Sequence, residues 1–563
     1  MNKNAIKKYA IWARKELIER VSQRAMIYGI TPKEVGHPDA DSVNGHLLSQ
    51  TEKKQRQALI RNIQAKGFTQ VMEEVAYTWF NRFAALRFME VNGYLPSHVR
   101  VFTNDAGEFK PQILAEAIHL ELDGLDMKKV YALENENKSE ELFKYLLIVQ
   151  CNALNSILPG MFQRIDDYTE LLFPENLLDK ASVVGRMISD ISENYFRVNS
   201  EHGQVEIIGW LYQYYISEKH EEIIDPLHGR EICAEDVPAA TQLFTTDWVV
   251  RYIVDNSVGR YWMERHAGSL LASDLQYYIP LEGNSVCNEN ITPQNVTVLD
   301  PCVGSGHFLV YAIDVLMKIY REYGYSDREA IAEIISHNIF GLDIDKRAVD
   351  LAYFAIMMKG CQYDRRFLKR GIQPRIYNIV DSRFADEAFM TFFCGSDTAL
   401  RACVSSILEP MKNAFETGSL VQIPVIDFEA LQKQIDKLNV QIDLFHANQL
   451  NSFFTMMNVL RTLSEHYAVV ITNPPYLNKY DEFLKIYLQN NYKDYSGDLF
   501  SVFIYRCMQL CKSGGYAGLM TPNVWMFIKS YEKLRRYILK NHSITTLVQM
   551  AKGAFFSEGN SEQ

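Results

Sequence analysis

Apolar residues recur at helical spacing through the first 225 positions. The stretch AIKKYAIWARKELIERVSQRAMIYG repeats them every three to four residues and stops at Gly29, which predicts a helix. FTQVMEEVAYTWFNRFAALRFMEVNGYL predicts a longer helix, apolar over a wide face and closed by Asn92-Gly93. Further periodic segments cover 140–158, 177–196 and 206–220, and no strand alternation stands out among them. The pattern therefore predicts a helical domain over residues 1–225.

After residue 290 the pattern changes. VTVLD, NIFGLDI, RIYNIVD, YAVVITN, YAGLMTP and TTLVQM are short apolar runs, most of them separated by amphipathic stretches of helix length. Strands alternating with helices predict an α/β fold whose parallel sheet is covered on both faces. The interval of about 383–460 is too long for a loop and has helical periodicity of its own, so it predicts a helical insertion. The α/β domain is thereby expected over residues 226–563.

Composition narrows the class. The 563 residues are 47% hydrophobic, 12% aromatic and 23% charged, as in globular chains with large cores. No apolar run reaches the length of a membrane helix, the first twenty residues lack a secretory apolar core, and nine cysteines contain no Cys-x-x-Cys pair. These features predict a cytoplasmic protein with reduced thiols. Cys507 and Cys511 lie four apart, as two ligands on one helix could, but no partner pair accompanies them and no metal is expected. A net charge of −11 argues against a protein that merely coats DNA and leaves room for a local basic cleft.

Three segments carry candidate chemistry. In VTVLDPCVGSGHFLVYAIDVL a strand ending at Asp300 meets a glycine loop, Gly304 and Gly306, and then a helix starting near His307. Nucleotide-like ligands sit at such loops. No Lys-Ser/Thr follows the glycines, which excludes a Walker phosphate cradle. NIFGLDIDKRAVDLAYFAIM ends a second strand at Asp343, placed for both hydroxyls of a ribose, whereas Asp345 reads as a helix cap. The loop has no third glycine for a pyrophosphate, so S-adenosylmethionine fits better than NAD. VVITNPPYLNKY ends the fourth predicted strand with Asn473-Pro474-Pro475-Tyr476. Two prolines fix an extended turn and remove N–H donors. The Asn473 side-chain oxygen and the Pro474 carbonyl then offer two acceptors to one exocyclic amine, and Tyr476 offers a face for stacking. That suits a flipped-out adenine or cytosine.

In this order the motifs resemble the amino-group DNA methyltransferases of the gamma arrangement. AYTWFNRFAALRFMEVNGYLP, LFTTDWVVRYIVDNSVGRYW, DPCVGSGHFLVYAIDVL, GLDIDKRAVDLAYFAIMMKG and WMFIKSYEKLR together resemble the PglX family, the adenine-specific methyltransferases of BREX phage-exclusion systems. The resemblance implies a Rossmann-like class I S-adenosylmethionine-dependent sheet and methyl transfer to the N6 amine of adenine in DNA. It assigns catalysis to Asn473, Pro474, Pro475 and Tyr476. It assigns the cofactor to Thr245, Asp300, Cys302, Gly304, Gly306, Asp343, Ile344 and Asp381, with Cys302 read as packing and not as a nucleophile. In the segment 241–259 the family has Phe-Thr-Pro where this chain has Phe244-Thr245-Thr246. SGDLFSVFIYRCMQLCKSGGYAGLMTPNVWMF is similar to the helix and fifth strand that wall both pockets. Family members continue into a target-recognition domain, which is expected to be absent here together with the last strand of the sheet. Double-stranded DNA, other BREX components and a separate specificity chain are the implied partners.

Competing readings come from other classes. A scaffold that binds S-adenosylmethionine without turnover, a truncated subunit of a defence complex, and the methyltransferase part of a fused restriction–modification enzyme all share these motifs. Pro38-Asp39 with Glu52-Lys53-Lys54 matches a PD-(D/E)xK nuclease formally, in a segment that reads as loop leading into helix. Lys529, Lys533, Arg535, Arg536 and Lys540 form a basic run that reads either as a phosphate contact or as a solvated face.

Overall fold

In the computed structural model the first helical pattern becomes a helix over Lys3–Ile27, and Gly29 beyond it takes φ +70°. The structure describes residues 2–163, 165, 167–198, 205–224, 245–280, 287, 289–439 and 444–550. The chain divides into two compact units, residues 1–218 with 365–371, and residues 219–364 with 372–563. The expected boundary at 225–226 lies outside the described residues.

Helices dominate the first unit. Lys3–Ile27 buries Ile6, Tyr9, Ala10, Ala13, Leu17, Val21 and Ala25, one stripe at helical spacing. It packs against the helices Phe68–Asn92 and Val183–Asp190. Phe68–Asn92 is the central element, buried nearly all round from Val71 to Glu90 and closed by Gly93 at φ +66°. Its charged residues are paired inside: Arg87 reaches Glu90 at 2.5 Å and Glu193 at 3.0 Å. Glu90 also accepts the N–H groups of Val101 and Phe102 at 2.7 and 2.8 Å.

The first unit also holds a strand pair that helical periodicity does not reveal. Ser42–Val43 pairs antiparallel with His46–Leu47 around Asn44-Gly45, both at positive φ. The nuclease-like residues on either side of it in the chain serve local structure. Ser49 and Glu52 form a capping box at the start of the helix Gln50–Lys66. Asp39 accepts a hydrogen bond from Gln57 at 2.8 Å.

In the second unit five strands form one sheet: β1 (Val298–Asp300), β2 (Ile339–Asp343), β3 (Arg375–Asn378), β4 (Tyr467–Thr472) and β5 (Cys511–Leu519). Their order is β3-β2-β1-β4-β5 and every pairing is parallel. Leu299 lies beside Phe340 on one neighbour and Val470 on the other. These three pack with Leu484, Leu488, Val502 and Phe503 of the helices Glu482–Tyr492 and Leu499–Leu510. The opposite face meets the helices His307–Glu322 and Asp247–Val254: a Cβ on Gly341 would touch Leu309, and one on Gly518 would touch Ile253. Cover on both faces is why β1, β2 and β4 read as unbroken apolar runs.

Between β3 and β4 the chain forms the helices Glu387–Cys394, Thr398–Leu408, Ala414–Thr417, Phe428–Asn439 and Leu444–Ser464. Phe389, Phe393, Ile407, Phe453, Met456 and Leu460 make their core, joined by Leu342 and Ile379 from the sheet side.

Two expectations fail here. TTLVQM at 545–550 forms no strand. A strand requires a paired edge and a covered face, whereas Ile544, Leu547 and Val548 are exposed beside β5. Cys507 and Cys511 do not share a helix, because the helix ends at Leu510 and Cys511 opens β5. Among the described residues no helix is long and apolar enough to cross a membrane.

Gly341 of β2 lies opposite Asp300, and a Cβ there would come within 2.9 Å of both Val303 and Ile376. Gly341→Ala is therefore expected to destabilise the second unit by about 1–3 kcal/mol through overpacking. Denaturant unfolding against wild type measures it.

Candidate active site at the carboxyl ends of the strands

Parallel pairing brings the tips of β1, β2 and β4 to one edge of the sheet. At β1, Asp300 is 1% exposed, and its Oδ1 accepts the N–H of Cys302 at 3.1 Å. Its Oδ2 has no hydrogen-bond partner among the described residues. The chain then turns through Gly304 at φ +52° and Gly306 at φ +89° into the helix His307–Glu322. A Cβ on Gly304 would meet nothing within 4 Å, so the outer side of the loop is open, whereas one on Gly306 would press on Ala352 at 3.1 Å.

Asp343, at the tip of β2, ties the loop down. Its Oδ2 accepts the Gly304 N–H at 2.9 Å and its Oδ1 the Asp345 N–H at 2.9 Å. Asp345 caps the next helix through the Arg347 N–H, as the sequence predicts. Burial pushes the Asp300 carboxyl up to about 7 and the Asp343 carboxyl up to about 6. Cys302 packs with Leu299, Val470 and Cys507, and burial raises its thiol well above the usual range. It is no nucleophile at neutral pH.

At the tip of β4, Asn473 donates from Nδ2 to the Thr245 hydroxyl at 3.1 Å. Its Oδ1, expected to be an open acceptor, takes the Tyr476 hydroxyl at 2.7 Å, and the same hydroxyl lies 3.0 Å from the Met520 carbonyl. The Tyr476 ring is half-buried and meets Phe500 edge-on. Pro474 is buried and Pro475 half-buried. Beyond the turn, the buried Asp498 accepts the Leu477 N–H at 3.0 Å, and Leu477 in turn accepts the Leu499 N–H at 2.9 Å. The turn is thus clamped to the helix Leu499–Leu510.

Asp381 stands beyond β3 with its carboxylate engaged by the N–H and the guanidinium of Arg383. Thr245 and Thr246 are buried, and Thr246 precedes the helix Asp247–Val254. Phe244 lies outside the described residues. Ile344 packs near Gly418 of the insertion. The basic run is largely spent within the chain: Lys533 pairs with Asp494, Arg536 with Glu532, and Arg535 donates to the carbonyls of Trp525 and Ile528.

The sequence did not reveal Ser419 or Leu420. The Ser419 hydroxyl donates to the Pro301 carbonyl at the root of the glycine loop, and its own carbonyl accepts from Arg506 at 3.2 Å. The Leu420 carbonyl accepts the hydroxyls of Tyr487 and Tyr492 at 3.0 and 2.7 Å. Nothing in the local pattern signals these contacts, because their partners lie 67 to 118 residues away.

A raised carboxyl binds its proton more tightly in the folded than in the unfolded chain. Stability therefore falls as pH rises from 3.8 to about 7 for Asp300. Asp300→Asn keeps the acceptor for Cys302 and removes the titration. It is expected to gain on the order of 3–4 kcal/mol over wild type at pH 8 and little at pH 4. Denaturant unfolding at the two pH values tests this.

The Eco57I restriction-modification methylase family model matches residues 337–556 of this chain, and the N-6 DNA Methylase model matches residues 258–371. The chain is 33% identical, over 99% of its length, to the adenine-specific methyltransferase BrxX of Escherichia coli O9:H4 (strain HS), and covers 49% of that protein. It is 34% identical, over 95% of its length, to the adenine-specific methyltransferase PglX of Lacticaseibacillus casei (strain Zhang), and covers 48% of it. The type II restriction enzyme and methyltransferase RM.Eco57I of Escherichia coli is 22% identical over 62% of the chain, which covers 30% of that enzyme. The chain spans about half the length of the first two relatives. Along nearly all of its own length it is related to the adenine-specific methyltransferases PglX and BrxX.

Proposed function

We propose that this chain is the methyl-transferring part of a DNA adenine methyltransferase, acting on the N6 amine of a flipped-out adenine in a BREX-type phage-defence system. The observation that carries the reading is the convergence of Asp300, Asp343 and Asn473 at one sheet edge. The strand order supports a Rossmann-like class I methyltransferase sheet, over residues 226–563, with residues 1–225 as a helical domain and about 383–460 as the insertion. Double-stranded DNA and other BREX components would be its partners, and the setting would be the cytoplasm.

The residues present fit S-adenosylmethionine. Asp300 carries a buried oxygen without a partner, and the open side of Gly304 admits a ligand to the backbone. Asp343 keeps a second lone pair on each oxygen for ribose hydroxyls, and Thr245, Cys302, Gly306, Ile344 and Asp381 complete the surround. When bound, the cofactor supplies an electrophilic methyl group.

The remaining work falls to the β4 turn. An adenine amine is a weak nucleophile because its lone pair is delocalised into the ring. Asn473 Oδ1 and the Pro474 carbonyl would accept its two N–H groups, favour a tetrahedral nitrogen and stabilise the positive charge that develops there. Pro475 keeps the turn rigid, and the Tyr476 ring would stack on the base. Holding the nitrogen in line with the methyl group supplies the orientation part of the rate.

Asn473→Ala is expected to keep S-adenosylmethionine affinity within two-fold while methyl transfer to DNA falls about 100-fold or more. Calorimetry and a radiolabelled methyl-transfer assay, run with and without a supplied specificity chain, measure the two. Asp343→Ala is expected to weaken cofactor binding by about 10-fold or more. A wild-type chain with no affinity for S-adenosylmethionine would sink the proposal.

A further inference from the structure

The amide of Asn473 is held from both ends. Its Nδ2 donates to Thr245, which fixes the amide so that Oδ1 faces Tyr476. Oδ1 therefore already has a donor, the Tyr476 hydroxyl, at 2.7 Å. A phenol has one proton, yet this hydroxyl lies within reach of two acceptors, Asn473 Oδ1 and the Met520 carbonyl at 3.0 Å. Oδ1 has a second lone pair, but two donors on one oxygen weaken each other, so an amine bonds it most strongly once the phenol gives it up, and the Met520 carbonyl lets it do so without stranding a buried donor. Met520 follows β5 directly, and its N–H is bonded to the Thr472 carbonyl at 3.2 Å, so the second acceptor is fixed by the sheet. Burial raises the Tyr476 hydroxyl far above neutrality, which keeps it a donor.

We propose that the Tyr476 hydroxyl stands in for the target amine, holding the Asn473 acceptor until an incoming N–H displaces it onto the Met520 carbonyl. This rests on the base-recognition reading of the site given above. In this role Tyr476 has two separable parts: a ring that stacks and a hydroxyl that competes. The competition would give the pocket a selectivity step, because a base without an exocyclic amine cannot repay the displaced hydrogen bond at Oδ1.

The test measures binding of 2′-deoxyadenosine and of purine 2′-deoxyriboside, which lacks the 6-amino group, to the full chain. Tyr476→Phe keeps the ring and removes the competitor. It is expected to bind deoxyadenosine about five-fold tighter and the purine nucleoside unchanged. The gain should vanish in an Asn473→Ala background, where no acceptor is left to compete for. Should Tyr476→Phe fail to fold, 3-fluorotyrosine at position 476 keeps the shape and strengthens the donor, and deoxyadenosine should then bind more weakly. An equal gain for both nucleosides, or none for deoxyadenosine, overturns the inference while leaving base recognition standing. A wild-type chain that binds both nucleosides equally removes the base-recognition reading and this inference with it.

Discussion

Parallel hydrogen bonding of β1 to β2 on one side and β4 on the other is the contact on which the rest of the second unit depends. Strands that run the same way must end at the same edge, so an acid that closes β1, an acid that closes β2 and an amide that follows β4 meet without any long-range instruction beyond strand direction. The same arrangement buries β1, β2 and β4, and the acids that end β1 and β2 are pulled into low dielectric with them. Asp300 and Asp343 therefore sit close to neutrality in their titration, and the fold bears a cost for keeping both near the glycine loop.

Much of this was legible from local pattern. Short apolar runs marked five strands, and Asp300, Asp343, Asp381 and Asn473 each end or follow one of those runs, whereas Thr245 lies just before a helix. The sixth run, TTLVQM, failed because pattern reports what a segment can bury and not whether a neighbour is there to bury it. The hairpin at Asn44-Gly45 escaped for the opposite reason: its strands are two residues each, too short for alternation, and only the turn chemistry marks them. Cys507 and Cys511 misled by spacing alone, since a helix-to-strand change falls between them.

The partners of the site residues were less legible than the residues themselves. That Asn473 Oδ1 would be taken by Tyr476 depends on the path of the turn and on the Met520 carbonyl, a backbone group whose position owes nothing to the methionine side chain. The resemblance assigns Asp381 to the cofactor, but Arg383 two residues later closes on its carboxylate. Charge runs behave likewise: five cations between 529 and 540 look like a basic face until Asp494, Glu532 and two carbonyls are seen to hold three of them.

A short segment in the middle of the insertion links regions far apart in sequence. Within two residues, Ser419 and Leu420 fasten the base of the glycine loop and the two helices that follow the β4 turn. Length and composition are then free to drift among related chains on the outer helices of the insertion, where only its private core must be kept. Ser419 and Leu420 are not free in that way, since losing their register would slacken three walls at once. Among homologues, insertions of very different size should still carry the same short, invariant clasp midway along them.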